Sequence, residues 1–242
     1  MNALPFEMLA KAAPLHILAK HKNNLFQLEA LLFGCSGLLN RELLGDDYFL
    51  RLRDEFSFLY KKYRLHPIEG HLWKFLRLRP VNFPTIRISQ LAALIFLSHG
   101  LFSRITDTES FDVLKNLFTV KASEYWETHY NFNKNTENHS VKNLGEDSIN
   151  NIIINTIAPL LFVYGELQNK HFLKDRALNF LELLPPEQNS IITRWENLGI
   201  SFRSAFETQA VIQLKNRYCE KKKCLNCPIG VKLVNSISVQ EV

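Results

Sequence analysis

Apolar residues recur along this chain at intervals of three and four, and that spacing constrains the fold more than any other feature. Between Asp47 and Tyr63 the series Phe49, Leu52, Phe56, Leu59 and Tyr63 lies on one side of a helix, because a helical side chain repeats its direction about every 3.6 residues. Gly45-Asp46-Asp47 supplies the start, where a carboxylate can accept from backbone N–H groups that lack intrahelical partners. Leu25, Leu28, Leu31 and Leu32 mark a second stripe from Leu25 to Phe33, stopping at Gly34. Pro5 to Ala12 and Leu15 to Lys20 read as shorter helices broken by Pro14. Pro84 suits the first turn of a helix through Ser98 that carries Ile86, Ile88, Leu91, Leu94 and Ile95.

The same pattern continues downstream. Helices are expected at Phe111–Phe118 and Ser123–Tyr130, then from Glu146 or Asp147 to about Gly165 with a kink at Pro159. Others follow at Leu173–Leu184, Pro186–Leu198 and Ser201–Arg217. From His66 to Asn82 the prolines and Gly70 prevent a long helix, and the polar run Asn131 to Asn143 reads as an exposed, mobile loop. There is no internal repeat and no sustained strand alternation. The expected architecture is all-α: an irregular multi-helix domain over residues 1–242, with a soft joint near 131–145 and a short cysteine loop at 218–230.

A hydrophobic share of 46% with 22% charged residues allows a buried core. The start Met1-Asn-Ala-Leu-Pro-Phe-Glu lacks the basic segment and apolar run of a signal peptide. Leu91–Leu97 and Ile149–Val163 read as too short or too polar to span a bilayer. The expectation is a cytoplasmic chain with no membrane partner and with reduced thiols. Walker-type and Gly-x-Gly-x-x-Gly loops, His-Glu-x-x-His and Gly-x-Ser-x-Gly are absent from the sequence. No pairing of carboxylates singles out an acid–base couple, so catalysis by this chain alone is not expected.

Two segments carry candidate chemistry. Cys219, Cys224 and Cys227 sit at C-x4-C-x2-C spacing in a loop with Lys221, Lys222 and Lys223. Thiolates so grouped suit a soft metal, and neighbouring lysines favour deprotonation. The spacing is similar to the start of a plant-type ferredoxin ligand set and to the cysteine loop of endonuclease III-like DNA glycosylases. The latter needs a further cysteine downstream, where Lys232, Leu233 and Val234 stand, so a structural zinc is preferred to an iron–sulfur cluster. Zinc needs a fourth ligand: Cys35, or one of His66, His71 and His129. Three reduced cysteines in a compact turn is the other reading.

The second segment is Trp73-Lys-Phe-Leu-Arg-Leu-Arg-Pro-Val-Asn-Phe-Pro-Thr-Ile-Arg87. Between Lys61 and Arg87 the one acid is Glu69. Guanidinium groups among aromatics can grip phosphate and stack on bases, which makes Lys74, Arg77, Arg79 and Arg87 candidate contacts to DNA or RNA. The three lysines at 221–223 add a second basic patch. Arginines in such a connector can equally bond loop carbonyls and hold the fold. Glu29, Asn155, Asn189, Trp195, Gln209 and Gln213 are polar groups on otherwise apolar helices; such residues commonly tie helices together and can also line a pocket. The cluster Trp126-x-x-His129-Tyr130 is open in the same way.

Four motifs together carry a family resemblance: Asn2-Ala-Leu-Pro-Phe-Glu7, Gln27-Leu-Glu29-Ala-Leu-Leu-Phe-Gly34, Arg77-Leu-Arg79-Pro-x-Asn82-Phe-Pro84-Thr-x-Arg87-Ile, and Tyr218-Cys219 with Cys224-Leu-x-Cys227-x-Ile-Gly230. The chain resembles, over essentially its whole length, the uncharacterised bacterial family catalogued as domain of unknown function 2851. No activity is established for that family. The resemblance implies that the chain corresponds to the C-terminal half of longer members. Their N-terminal half carries Gly-Pro-Asp-Phe and Val-Glu-Ile-His elements similar to the metal-binding acids of restriction-endonuclease-like folds, and this sequence has neither. The expectation is a nucleic-acid-binding or accessory module for a separate nuclease-like N-terminal half. The alternative is a non-catalytic scaffold that docks onto such a partner.

Overall fold

The computed structural model describes residues 2–40, 45–98 and 100–237. The chain forms two compact units, residues 1–149 and 150–242, and the described parts are mainly helical, with irregular connectors and one short hairpin. The all-α, irregular multi-helix architecture expected from the apolar spacing is what the chain adopts.

In the first unit, α1 (Ala3–Ala12) and α2 (Leu15–Lys20) are separated by Pro14. Helix α3 (Leu25–Cys35) begins where Asn24 accepts from the backbone N–H of Gln27. Helix α4 (Asp47–Tyr63) begins where Asp46 accepts from that of Phe49, and it stops at Arg64, whose φ of +50° breaks the helical run. Each cap satisfies a donor that the first helical turn leaves free. Pro84 opens α5 (Pro84–Ser98). The apolar stripe of α4 is fully sequestered at Phe49, Leu52 and Leu59.

Helix α3 packs against both α4 and α5 and is buried from Leu28 to Cys35. At Gly34 the α4 helix comes so near that a Cβ would lie 2.0 Å from the Phe56 ring. Helices α6 (Leu101–Asp107) and α7 (Phe111–Leu117) follow; the first had no signal in the apolar spacing.

Ser123–Tyr130 is not a helix. It forms one 3-10 turn at Glu124–Glu127 and then the strand β1 (His129–Asn131), paired antiparallel with β2 (Lys134–Asn135). The reason lies in Phe132, which plugs a ring cluster with Phe33, Phe49 and Trp126 at centroid distances of 5.0–5.2 Å. A helix through Tyr130 would carry that ring away from the core. The polar run after it is also tied down: Lys142 is buried, donates to the Ser140 and Glu127 carbonyls, and lies 4.2 Å from the Tyr130 ring centroid.

Helix α8 (Glu146–Ile152) contains the boundary between the units. A π turn, Ile153–Ile157, joins it to α9 (Ala158–Leu167). Pro159 lacks the N–H that the Asn155 carbonyl would accept, and the widened turn just before it absorbs that loss. The run Glu146–Leu167 spans 22 residues, longer than the apolar stretch suggested, and is long and apolar enough to cross a membrane by length and composition.

In the second unit α9 packs along α10 (His171–Leu183), burying Leu161 on one helix and Leu173, Ala177 and Phe180 on the other. Helix α11 (Ser190–Glu196) is capped by Asn189, and α12 (Ala205–Leu214) runs into a second π turn at Lys215–Cys219. Helix α13 (Pro228–Ile237) closes the described chain.

Candidate functional site

The arginine–proline connector lies between Tyr63 and α5, and it is anchored at several points. Trp73 is buried, donates its indole N–H to the Ser36 carbonyl at 2.8 Å, and meets Phe6 edge to face. The Asn2 side chain clamps Lys74, accepting from its backbone N–H and donating to its carbonyl, both at 2.9 Å. Phe75 and Phe83 pack edge to face at 5.2 Å. Between them the backbone turns, with Arg77 at φ +63° and Leu76 85% exposed.

Lys74, Arg77 and Arg79 point into solvent, and among the described residues none of them has an ion pair. These backbone anchors lower the ordering cost that a free loop would carry, although the exposed side chains keep their own rotamer freedom. Arg87 is placed differently. Its guanidinium is half-buried and donates to Asn82 Oδ1 at 2.6 Å, Ser148 Oγ at 2.8 Å and Gln90 Oε1 at 3.0 Å. Burial lowers its proton affinity, and it ties the end of the connector to α5 and to the start of α8.

The cysteines fall in distinct surroundings. Cys35 is wholly buried in α3, and burial pushes its thiol up to about 12. Cys219 and Cys224 are exposed and Cys227 is buried. Their loop is a tight double turn, with Lys223 N–H donating to the Tyr218 carbonyl and Cys227 N–H to the Cys224 carbonyl. At Gly230 a Cβ would lie 2.3 Å from the Cys224 carbonyl oxygen, so only glycine lets α13 approach the loop this closely. Among the described residues no three His, Cys, Asp or Glu side chains are grouped so as to hold a metal ion. Lys221, Lys222 and Lys223 are exposed.

A further constellation surrounds Glu29, a residue the sequence marks only as a polar group in an apolar helix. Its carboxylate is 1% exposed. Oε1 accepts from Ser89 Oγ at 2.5 Å and Ser123 Oγ at 2.9 Å, and Oε2 accepts from the Tyr48 hydroxyl. Four elements therefore converge on one side chain: α3, α4, α5 and the segment before the 3-10 turn. Burial raises the Glu29 carboxyl above its usual range, and the three hydroxyl donors offset part of that rise. Burial first, and the nearby carboxylate second, push the Tyr48 phenol up. The buried Trp126 indole also helps to hold the Glu29 carboxyl down, although its N–H makes no hydrogen bond of ordinary geometry.

Beside this knot Tyr125 stacks on Tyr48 at 4.2 Å and on His129 at 4.0 Å, and its hydroxyl donates to Asp46 Oδ2 at 2.6 Å. An open groove of about 570 Å³ runs along it, lined by Glu29, Tyr48, Ser123 and Tyr125 with apolar walls from α3 and α5. The partners of Glu29 lie 19, 60 and 94 residues away along the chain, so no local spacing reveals them. The available signal was a single carboxylate inside Leu28–Phe33, a stretch otherwise apolar.

The family model described as "Protein of unknown function (DUF2851)" matches residues 1–190. That span holds the arginine–proline connector and the Glu29 groove and ends before the cysteine loop. The match gives no support to placing the chain as the C-terminal half of a longer member. No curated protein and no solved structure matches the chain. With 190 of its 242 residues matched, the chain belongs to the DUF2851 family, whose function is unknown.

Proposed function

We propose that this chain is a helical nucleic-acid-binding module whose Lys74, Arg77 and Arg79 contact phosphate. The observation behind the reading is three exposed cations with no ion pair among the described residues, on a connector anchored at Trp73, at the Lys74 backbone and at Phe75 with Phe83. Contacts of this kind bind by releasing condensed counterions, and they position a protein on a strand without reading its sequence. Leu76 beside Arg77 adds an exposed apolar contact for a base face. Lys221, Lys222 and Lys223 offer a second patch. Arg87 holds the connector in shape and stays out of the contact set. Any strand cleavage would be supplied by a separate nuclease-like partner.

The test is binding of a fluorescein-labelled oligonucleotide by the wild-type chain and by the Arg77→Ala/Arg79→Ala double variant. Weaker binding by a variant with an unchanged melting curve supports the assignment. Equal binding by the two proteins would sink it.

One observation favours a second reading, a scaffold for a partner protein. Leu225, Ile229 and Leu233 are all exposed near the end of the described chain, and no residue from Pro228 to Asn235 is buried. Exposed apolar surface of this kind marks an interaction site. A monodisperse chain that fails to bind a hydrophobic dye would count against it.

A further inference from the structure

The Glu29 groove is separate in purpose from the basic connector, since its charge has the opposite sign. Its floor holds a carboxylate to which three hydroxyls donate, from Ser89, Ser123 and Tyr48. The hydroxyl hydrogen bonds favour the ionised form and offset part of the cost of burying it. Yet no cation pairs with Glu29 among the described residues. Lys121 on the rim is engaged by Glu127 at 3.3 Å. Glu124, also on the rim, is exposed and has no ion pair among the described residues. The groove is thus electronegative at its floor and at its edge.

Its walls are aromatic. Phe26, Tyr48, Phe96 and Tyr125 line it; Tyr48 and His129 cover the faces of Tyr125, which leaves Phe26 and Phe96 as apolar walls for the body of a ligand. Its volume of about 570 Å³ falls within the roughly 300–1,000 Å³ usual for small-molecule sites, which combine apolar walls with a few convergent polar groups. A ligand carrying a positive head on an apolar body satisfies each of these features together. A neutral ligand would leave the buried carboxylate without a counter-charge, and an anion would be repelled.

We infer that the groove between α3, α4, α5 and Ser123–Tyr125 is a binding site for a small organic ammonium compound with an aromatic or aliphatic body. The ammonium group takes its place against the Glu29–Tyr48–Ser123 knot, and the body lies on Phe26 and Phe96. Tyr48 and Ser123 both line the groove and hold the carboxylate, so they couple the bound head group to a side chain that is itself sealed from water.

The experiment is calorimetric titration of the purified chain with phenethylamine, 2-phenylethanol and phenylacetate, three probes of similar shape and different charge. The site requires phenethylamine to bind about tenfold more tightly than either of the others. Glu29→Gln removes the charge and should abolish that preference. Because Glu29 is buried, a second variant keeps the test independent of folding. Leu97 lines the groove and is 54% exposed, so Leu97→Arg places a cation on the wall without disturbing the core. It should weaken phenethylamine binding about tenfold with an unchanged melting curve. Equal affinity for amine and alcohol, a preference for the acid, no binding of any probe at millimolar concentration, or full amine binding by Leu97→Arg would each overturn the assignment.

Discussion

Ser89 donates its hydroxyl hydrogen to Glu29 Oε1 at 2.5 Å, joining α5 to α3 through a carboxylate sealed inside the first unit. The backbone N–H of Ser123 in turn donates to Ser89 Oγ at 3.0 Å, so one serine orders both the carboxylate and the segment that forms the groove wall. Buried polar networks hold a structure together when every member is satisfied, and they are costly when one member is removed.

Glu29→Leu should therefore destabilise the chain by about 2 kcal/mol, because it strands the buried Ser89 hydroxyl and removes the acceptor shared by Tyr48 and Ser123. Tyr48→Phe, which removes one donor, should cost about 1–2 kcal/mol. Urea denaturation followed by circular dichroism measures both. A Glu29→Leu variant as stable as wild type would show that the network contributes nothing to folding.

The raised Glu29 carboxyl gives stability a pH dependence of definite sign. Its proton is held more tightly in the fold than in the unfolded chain, where the ordinary value is 4.5. The stabilisation from that proton is complete below the unfolded value and is lost as pH rises through the folded one. The unfolding free energy of wild type minus that of Glu29→Gln should fall as pH rises above the ordinary carboxyl value of 4.5. A difference that stays flat, or that grows with pH, would be incompatible with a raised carboxyl.

Arg87 separates structural from functional arginines. Its three hydrogen bonds to Asn82, Gln90 and Ser148 are charge-assisted, and Arg87→Leu should lower stability by roughly 2 kcal/mol. At a temperature where both proteins are folded, nucleic-acid affinity should change little. The reverse pattern, stability kept and affinity lost, would return Arg87 to the contact set.

The thiols should divide by burial. Cys219 and Cys224 are exposed, whereas Cys35 is sealed in α3 with its thiol pushed up to about 12. Native-state labelling with iodoacetamide, read by mass spectrometry, should modify the first two quickly and reach Cys35 only after unfolding. Early modification of Cys35 would contradict the packing of α3.

Much of this architecture was legible because helices announce themselves locally. The Phe49–Leu52–Phe56–Leu59 stripe, the Asp46 cap and the Pro14 and Pro84 boundaries each act within a few residues, and each took its expected place. The failures share a cause. Trp126 and Tyr130 stand four apart, as in a helix, but Phe132 is drawn into a cluster with Phe33 and Phe49 from distant parts of the chain, and that tertiary contact overrides the local period. The Glu29 site was hidden for the same reason, since its meaning depends on Ser89 and Ser123. The exposure of Arg77 and Arg79 and the engagement of Arg87 could not be told apart by spacing, because all three occupy one proline-rich segment.

The measurement that bears most directly on the proposed function is fluorescence anisotropy of short single- and double-stranded DNA with the full chain at two salt concentrations. Binding should weaken steeply as salt rises, and the dependence of log affinity on log salt should be shallower by about 2 in Arg77→Ala/Arg79→Ala, close to one phosphate contact per arginine. No binding at low salt, or wild-type affinity and slope in the double variant, would contradict the phosphate-contacting role of the connector.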